Sequence, residues 1–171
     1  SGIITVIPAE RLTLTSGVAS PSQEVCLEND IIDIVYEFSG SANAVAFSVA
    51  GLPTGVTGTY TPRQQVSVIQ INNAGVTVVS ETYVINVNSV PYNFVAPIGS
   101  NEDDIGLGIS NQIDGDPDVS SSYDNATNRI TITANVAGDS FGIYIPSSTN
   151  TIRFNRPTLA TSQGVYVIRG R

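Results

Sequence analysis

Hydrophobic and polar residues alternate along most of this chain with a period of two, the spacing that puts successive side chains on opposite faces of a β-strand. The alternating runs are short, rich in Val, Ile, Thr and Tyr, and separated by clusters of Gly, Pro, Ser and Asn. They predict strands over 3–7, 12–15, 31–38, 44–49, 58–61, 66–71, 82–87, 92–95, 129–134, 142–145 and 165–168. In the third run Ile32, Ile34, Tyr36 and Phe38 form a core-facing set and alternate with Asp33, Val35 and Glu37, so one face is expected buried and the other mostly wet. Between runs, Gly51-Leu52-Pro53-Thr54-Gly55 brackets a proline of fixed φ with two permissive glycines, and Asn72-Asn73 suits a tight connection.

One segment departs from this period. Ile105, Ile109 and Ile113 recur at a spacing of four, behind Ser100-Asn101 as a capping pair and the acidic run Glu102-Asp103-Asp104, placed where a helix dipole favours negative charge. Gly106 and Gly108 lower helix propensity, and Asp114-Gly115 followed by Pro117 ends the pattern. The spacing predicts one helix over 101–113, lying on a sheet built from the strands around it. The fold class is therefore mainly β, with a small α+β part.

Composition narrows the function. With 171 residues, 41% of them hydrophobic and 13% charged, the chain can form one medium domain or two small cores, and it lacks the polarity of a disordered segment. It contains no His, Met or Trp, its seven basic residues are all Arg, and it has one Cys. The missing Met suggests a piece of a longer precursor, and no apolar run reaches membrane-spanning length, so no membrane insertion is expected. A formal charge of −8 with scattered arginines argues against nucleic acid, whose phosphates need clustered cations. An acidic, lysine-free chain suits an extracellular setting.

The same inventory limits chemistry. Without His there is no base for a Ser-His-Asp or Cys-His arrangement, and one Cys cannot build a structural zinc site. Catalytic and cofactor-binding residues are accordingly expected to be none. Asp114, Asp116 and Asp118 place three carboxylates at alternate positions, as a calcium loop does. The segment lacks the glycine at the sixth loop position and the glutamate at the twelfth, where Asn125 falls. Two readings of the cluster stand: a solvated turn that closes the helix, or a calcium site. Tyr36, Tyr83, Tyr92, Tyr144 and Tyr166 fall in strands and are expected to pack in the core or across strands.

Residues 12–17 (Leu-Thr-Leu-Thr-Ser-Gly), 23–26 (Gln-Glu-Val-Cys), 31–36 and 49–60 (Val-Ala-Gly-Leu-Pro-Thr-Gly-Val-Thr-Gly-Thr-Tyr) follow one another in an order that resembles the PKD-like or Ig-like repeats of giant cell-surface adhesins from gliding Bacteroidetes. Ser1-Gly2-Ile3-Ile4-Thr5-Val6-Ile7-Pro8 resembles the strand that closes the preceding repeat of such an array, and Gly164-Val165-Tyr166-Val167-Ile168 resembles the strand that in simple repeats follows soon after Gly58-Thr59-Tyr60. Residues 82–88 with Tyr92-Asn93-Phe94, the helix ending near Ile113, Asp116-Pro117-Asp118-Val119, and 130–134 through Ala137-Gly138 resemble a second small module of bacterial surface and tail-like proteins. The resemblance implies a closing strand or linker over 1–8, an Ig-like domain over 9–62 completed by 163–171, and a second β-rich domain over 63–162, inserted or appended. It further implies type IX export to the cell surface, neighbouring repeats of the same polypeptide as partners, and a non-catalytic role in attachment and gliding motility. The alternative is a module that binds surface polysaccharide. Repeats of this kind usually carry a second Cys late in the module, and the resemblance implies a disulfide between it and the first. Here Cys26 stands alone, so its partner lies outside the segment or has been lost.

Overall fold

A computed structural model describes residues 11–17, 23, 30–39, 52, 54–72, 75–146, 153–155, 157–162 and 164–170. Among them are twelve strands and one helix, so the protein is mainly β. The strands expected over 3–7 and 44–49, and Cys26, lie outside the described residues.

The first sheet holds β1 (Arg11–Leu14), β2 (Ile34–Ser39), β3 (Val56–Pro62) and, from the far end of the chain, β12 (Gly164–Gly170), in the order β1-β2-β12-β3. All its pairings are antiparallel. The Val-Tyr-Val-Ile run of β12 suits an interior position, since these residues fit a pleated surface and each supplies a backbone donor. Its register runs from Gly164 opposite Pro62 to Gly170 opposite Val56 on one side, and from Gly164 opposite Phe38 to Ile168 opposite Ile34 on the other. A side chain on Gly164 would collide with the Tyr60 ring, whose Cε2 lies 2.3 Å from an ideal Cβ, so the ring covers the glycine backbone. Burial there pushes the Tyr60 hydroxyl pKa up.

Ile32 does not join the core-facing set. The β2 strand begins two residues later, and the Gln23 side-chain amide takes the backbone of Ile32 at both ends, accepting from its N–H at 2.7 Å and donating to its carbonyl at 2.9 Å. A side chain thus stands in for a neighbouring strand, and Ile32 itself is 70% exposed.

Residues 66–161 build two further sheets and the helix. One sheet contains β4 (Val66–Asn72), β7 (Val119–Asp124) and β8 (Arg129–Ala134) in the order β4-β8-β7, with the short strands β10 (Arg153–Phe154) and β11 (Thr158–Thr161) on the other edge of β4. The second holds β5 (Glu81–Val87), β6 (Val90–Ala96) and β9 (Ile143–Tyr144) in the order β6-β5-β9. Asn88 and Ser89 both take positive φ, 50° and 70°, as a two-residue hairpin turn requires. At the β7–β8 turn Asn128 has φ 52°, and Asp124 accepts from the Ala126 N–H at 2.9 Å and the Thr127 hydroxyl at 2.7 Å. Those two bonds hold the Asp124 carboxyl below its usual range.

The period-2 pattern delivers Ile69 and Ile71 from β4, Ile130, Ile132 and Ala134 from β8, and Tyr83, Ile85 and Val87 from β5 to one core. The helix α1 (Glu102–Ile113) adds Ile105, Ile109 and Ile113, all fully buried. It packs on β6 and β7, the edge strands of the two sheets, and so covers the core between them. Burying each isoleucine contributes roughly 1.5–3 kcal/mol.

The two helix glycines have a packing role. An ideal Cβ at Gly106 would lie 2.3 Å from the Tyr123 ring, and one at Gly108 would lie 2.3 Å from the Phe94 ring. One aromatic ring from β7 and one from β6 thus rest on bare helix backbone. Gly→Ala in a helix interior ordinarily gains close to about 1 kcal/mol. Here Gly106→Ala and Gly108→Ala are expected to lose stability, by about 1–3 kcal/mol each, because the rings must be pushed off the helix. Urea unfolding of the two variants checks the sign.

Candidate functional site

The acidic residues flanking α1 are held by the fold itself. Asn101 caps the helix: its Oδ1 accepts from the Asp104 N–H at 3.0 Å while the Asp104 carboxylate accepts from the Asn101 N–H at 3.1 Å, a reciprocal capping box. Asp103 accepts from the Tyr123 hydroxyl at 2.8 Å, with the Asn128 Oδ1 a further 3.3 Å contact of that hydroxyl. Glu102, Asp103 and Asp104 together occupy the first turn, where the helix dipole favours them.

Beyond the other end of α1, the three aspartates of the calcium reading go separate ways. Asp114 is the C-cap, and its carboxylate accepts from the Ser121 N–H on β7 at 3.0 Å. Asp116 is buried, accepting from the Tyr92 hydroxyl on one oxygen and from the Asp118 N–H at 2.7 Å on the other. Asp118 is exposed and uses its backbone carbonyl to hold the Asn135 N–H at 2.9 Å. Among the described residues no group of three His, Cys, Asp or Glu side chains is placed to hold a metal ion. Asp114 also has a role the sequence did not announce: β7 is an edge strand, and a side-chain acceptor on one of its N–H groups obstructs pairing with another chain there.

Two tyrosine–carboxylate pairs therefore tie the helix region to the strands. Burial first, then the hydrogen bond to Asp116 and the charges of Asp116 and Asp118, push the Tyr92 hydroxyl up to about 12. Burial and Asp103 push Tyr123 up as well. Of the other strand tyrosines, Tyr83 is buried and meets Phe154 edge-on at 5.9 Å, whereas Tyr144 is 64% exposed. Tyr144 misses the expected packing because β9 is a two-residue strand on the edge of its sheet and turns that ring to solvent.

One exposed edge of the surface is apolar. Residues 75–80 are strapped to 97–100: the Thr77 N–H donates to the Ser100 carbonyl at 2.9 Å, the Gly99 N–H to the Thr77 carbonyl at 2.8 Å, and the Thr77 hydroxyl to the Pro97 carbonyl at 2.6 Å. This strap gathers Val76, Val78, Val79 and Ile98 at one edge, all exposed, with Val78 at 73% and Ile98 at 70%. Beside it, an open groove of about 450 Å³ runs between the end of β6 and α1, lined by Phe94, Pro97, Ile98 and Leu107 with Asp104 and Asn111 at its polar margin. No sequence pattern marked this edge, since Val76-Thr77-Val78 alternates as a strand would.

No family model matches the chain, and no curated protein matches it.

The raised tyrosines give the fold an alkaline limit. A hydroxyl whose pKa is higher folded than unfolded stabilises the protein below the unfolded value of about 10, and that contribution is lost as pH rises toward the folded value. Urea unfolding free energies should be flat between pH 7 and 9 and fall between about pH 10 and 12. With no Trp in the chain, absorbance at 295 nm follows tyrosinate formation, and Tyr92→Phe should remove a late-titrating component. A featureless titration at the ordinary tyrosine value would contradict the geometry.

Proposed function

We propose that this chain is a non-catalytic structural segment of a large secreted cell-surface adhesin, exported by the type IX route in a gliding bacterium. Its first sheet would belong to an Ig-like or PKD-like repeat joined to neighbouring repeats. The observation that carries this reading is the seating of β12 between β2 and β3. It supplies the late strand that the resemblance asks of such a repeat, about a hundred residues after β3. Interior strand pairing is what a module serving as a spacer under tension needs. The residue inventory points the same way, since the chain has no His and its carboxylates around α1 serve capping, edge protection and tyrosine pairing. An antibody against residues 11–170 is expected to label unpermeabilised cells that express the parent protein, and external protease to remove the label. Label confined to permeabilised cells would overturn the reading.

The exposed valine edge and the groove beside it favour a second reading, a ligand-binding module. Contiguous apolar surface rimmed by polar groups is what a recognition site presents. The double variant Val78→Asp with Ile98→Asp separates the two. Both side chains are exposed, so the melting temperature should hold within about 2 °C. If the segment binds glycans or an abiotic surface, that binding should be lost. The structural reading expects no specific binding by either form on a glycan array.

A further inference from the structure

Both links between the first sheet and residues 66–161 leave from one end of that sheet. The chain departs after Pro62 at the end of β3 and returns at Gly164 at the start of β12, and these two residues are paired with each other. On the far side of the links, Val66 and Thr161 are also paired, opening the β4–β11 ladder. The departing link is pinned further: the Arg63 carbonyl accepts from the Gly138 N–H at 2.9 Å, the Gln65 carbonyl from the Ala134 N–H at 2.9 Å, and the Gln65 amide donates to the Phe141 carbonyl at 2.8 Å.

Arg11 lies at this same end of the sheet, opposite Ser39, while Gly170 lies at the other, opposite Val56. We propose that the first sheet is a load-bearing clamp that shields residues 66–161 from tension and holds them as reserve length, released only after β12 has been drawn out of the sheet. The proposal rests on the load-bearing reading above.

A pull between Arg11 and Gly170 acts along the strands. Drawing β12 along its own axis strains its ladders to β2 and β3 together, twelve register pairs in all, whereas peeling strands apart from one end breaks their bonds one after another. The shorter β1–β2 ladder, reinforced by the Thr15 N–H to the Val35 carbonyl at 2.8 Å and the Val35 N–H to the Ser16 hydroxyl at 3.0 Å, carries the load into the sheet. Whichever ladder yields first, no tension crosses 66–161 while Gly164 stays beside Pro62. Once β12 is free, the load arrives at Val66 and Thr161 from the same end of antiparallel strands. That is the peeling geometry, so the reserve then opens at a lower force than the clamp.

Single-molecule pulling tests this on the protein carrying Cys26→Ser, with handles at residues 11 and 170. Release of the first sheet frees roughly sixty residues, about 200 Å, and release of 66–161 a further 330 Å or about that, at about 3.4 Å per residue. The longer extension should never come first, and handles moved to 66 and 161 should open it at a lower force. In a second variant, Val66→Cys with Thr161→Cys, oxidation should remove the long extension and leave the force of the first event unchanged. A long extension preceding the short one, or a first event strengthened by the cross-link, would put 66–161 in the load path and overturn the proposal. Neither outcome bears on where the parent protein resides, which the antibody labelling decides separately.

Discussion

The antiparallel seating of β12 between β2 and β3 is the constraint on which the rest of the architecture depends. Without it β3 would have no strand to pair with among the described residues, and the two links to residues 66–161 would not be held side by side. The pairing joins positions about a hundred residues apart, so its closure is entropically expensive unless the intervening chain is already compact. The core of 66–161 provides that compactness. Its own first and last strands, β4 and β11, pair with each other and bring Val66 beside Thr161, so the long closure becomes a short one between neighbouring links. Closing the outer sheet therefore costs less chain entropy when the inner unit is folded.

The inner unit solves a different problem, the open side of two sheets that share a core. Helix α1 covers it by meeting the edge strands β6 and β7, and its faces divide the work. Ile105, Ile109 and Ile113 enter the core, Gly106 and Ser110 face β7, and Gly108 receives Phe94. Glycines that cost helix propensity are offset by close ring contact, and the carboxylates flanking the helix are recruited to the Tyr123 and Tyr92 hydroxyls. The acidic clusters are therefore part of how the helix is fastened.

What the sequence revealed depended on whether local pattern decided the outcome. Helix α1, the capping signal at its start and strands such as β8 and β12 were legible because periodicity and capping chemistry are local signals, although Asn101 proves to be the cap and not the first helical residue. Strand β7 was not, since Ser120-Ser121-Ser122 carries little strand propensity. It forms because Val119 and Tyr123 bracket the serines and Ser121 meets Ser110 of the helix at 2.9 Å. The short strands β10 and β11 form only because β4 offers them an edge. The spacing of Asp114, Asp116 and Asp118 left a solvated turn and a calcium site both open; in the fold the Asp114 carboxylate goes to the Ser121 N–H, the Asp116 carboxylate to Tyr92 and the Asp118 N–H, and Asp118 is exposed. Spacing constrains where side chains start, and the partners that claim them are tertiary.

The same distinction bears on the surface. Hydrogen bonds claim Asp103, Asp104, Asp114 and Asp116, and ring contacts claim Gly106 and Gly108, whereas Val78 and Ile98 are among the most exposed large apolar side chains of the described residues. Such surface costs solubility unless something covers it. Thr77 shows that the edge is nonetheless built: it is buried, and both its backbone groups and its hydroxyl are spent on fixing 75–80 against 97–100. A segment held this firmly while its valines face outward differs from a loop that merely tolerates them. A strand-sandwich spacer has no need of that arrangement, so the structural and binding readings divide at this edge, and the two can coexist in one chain because the load path through β12 does not pass through it.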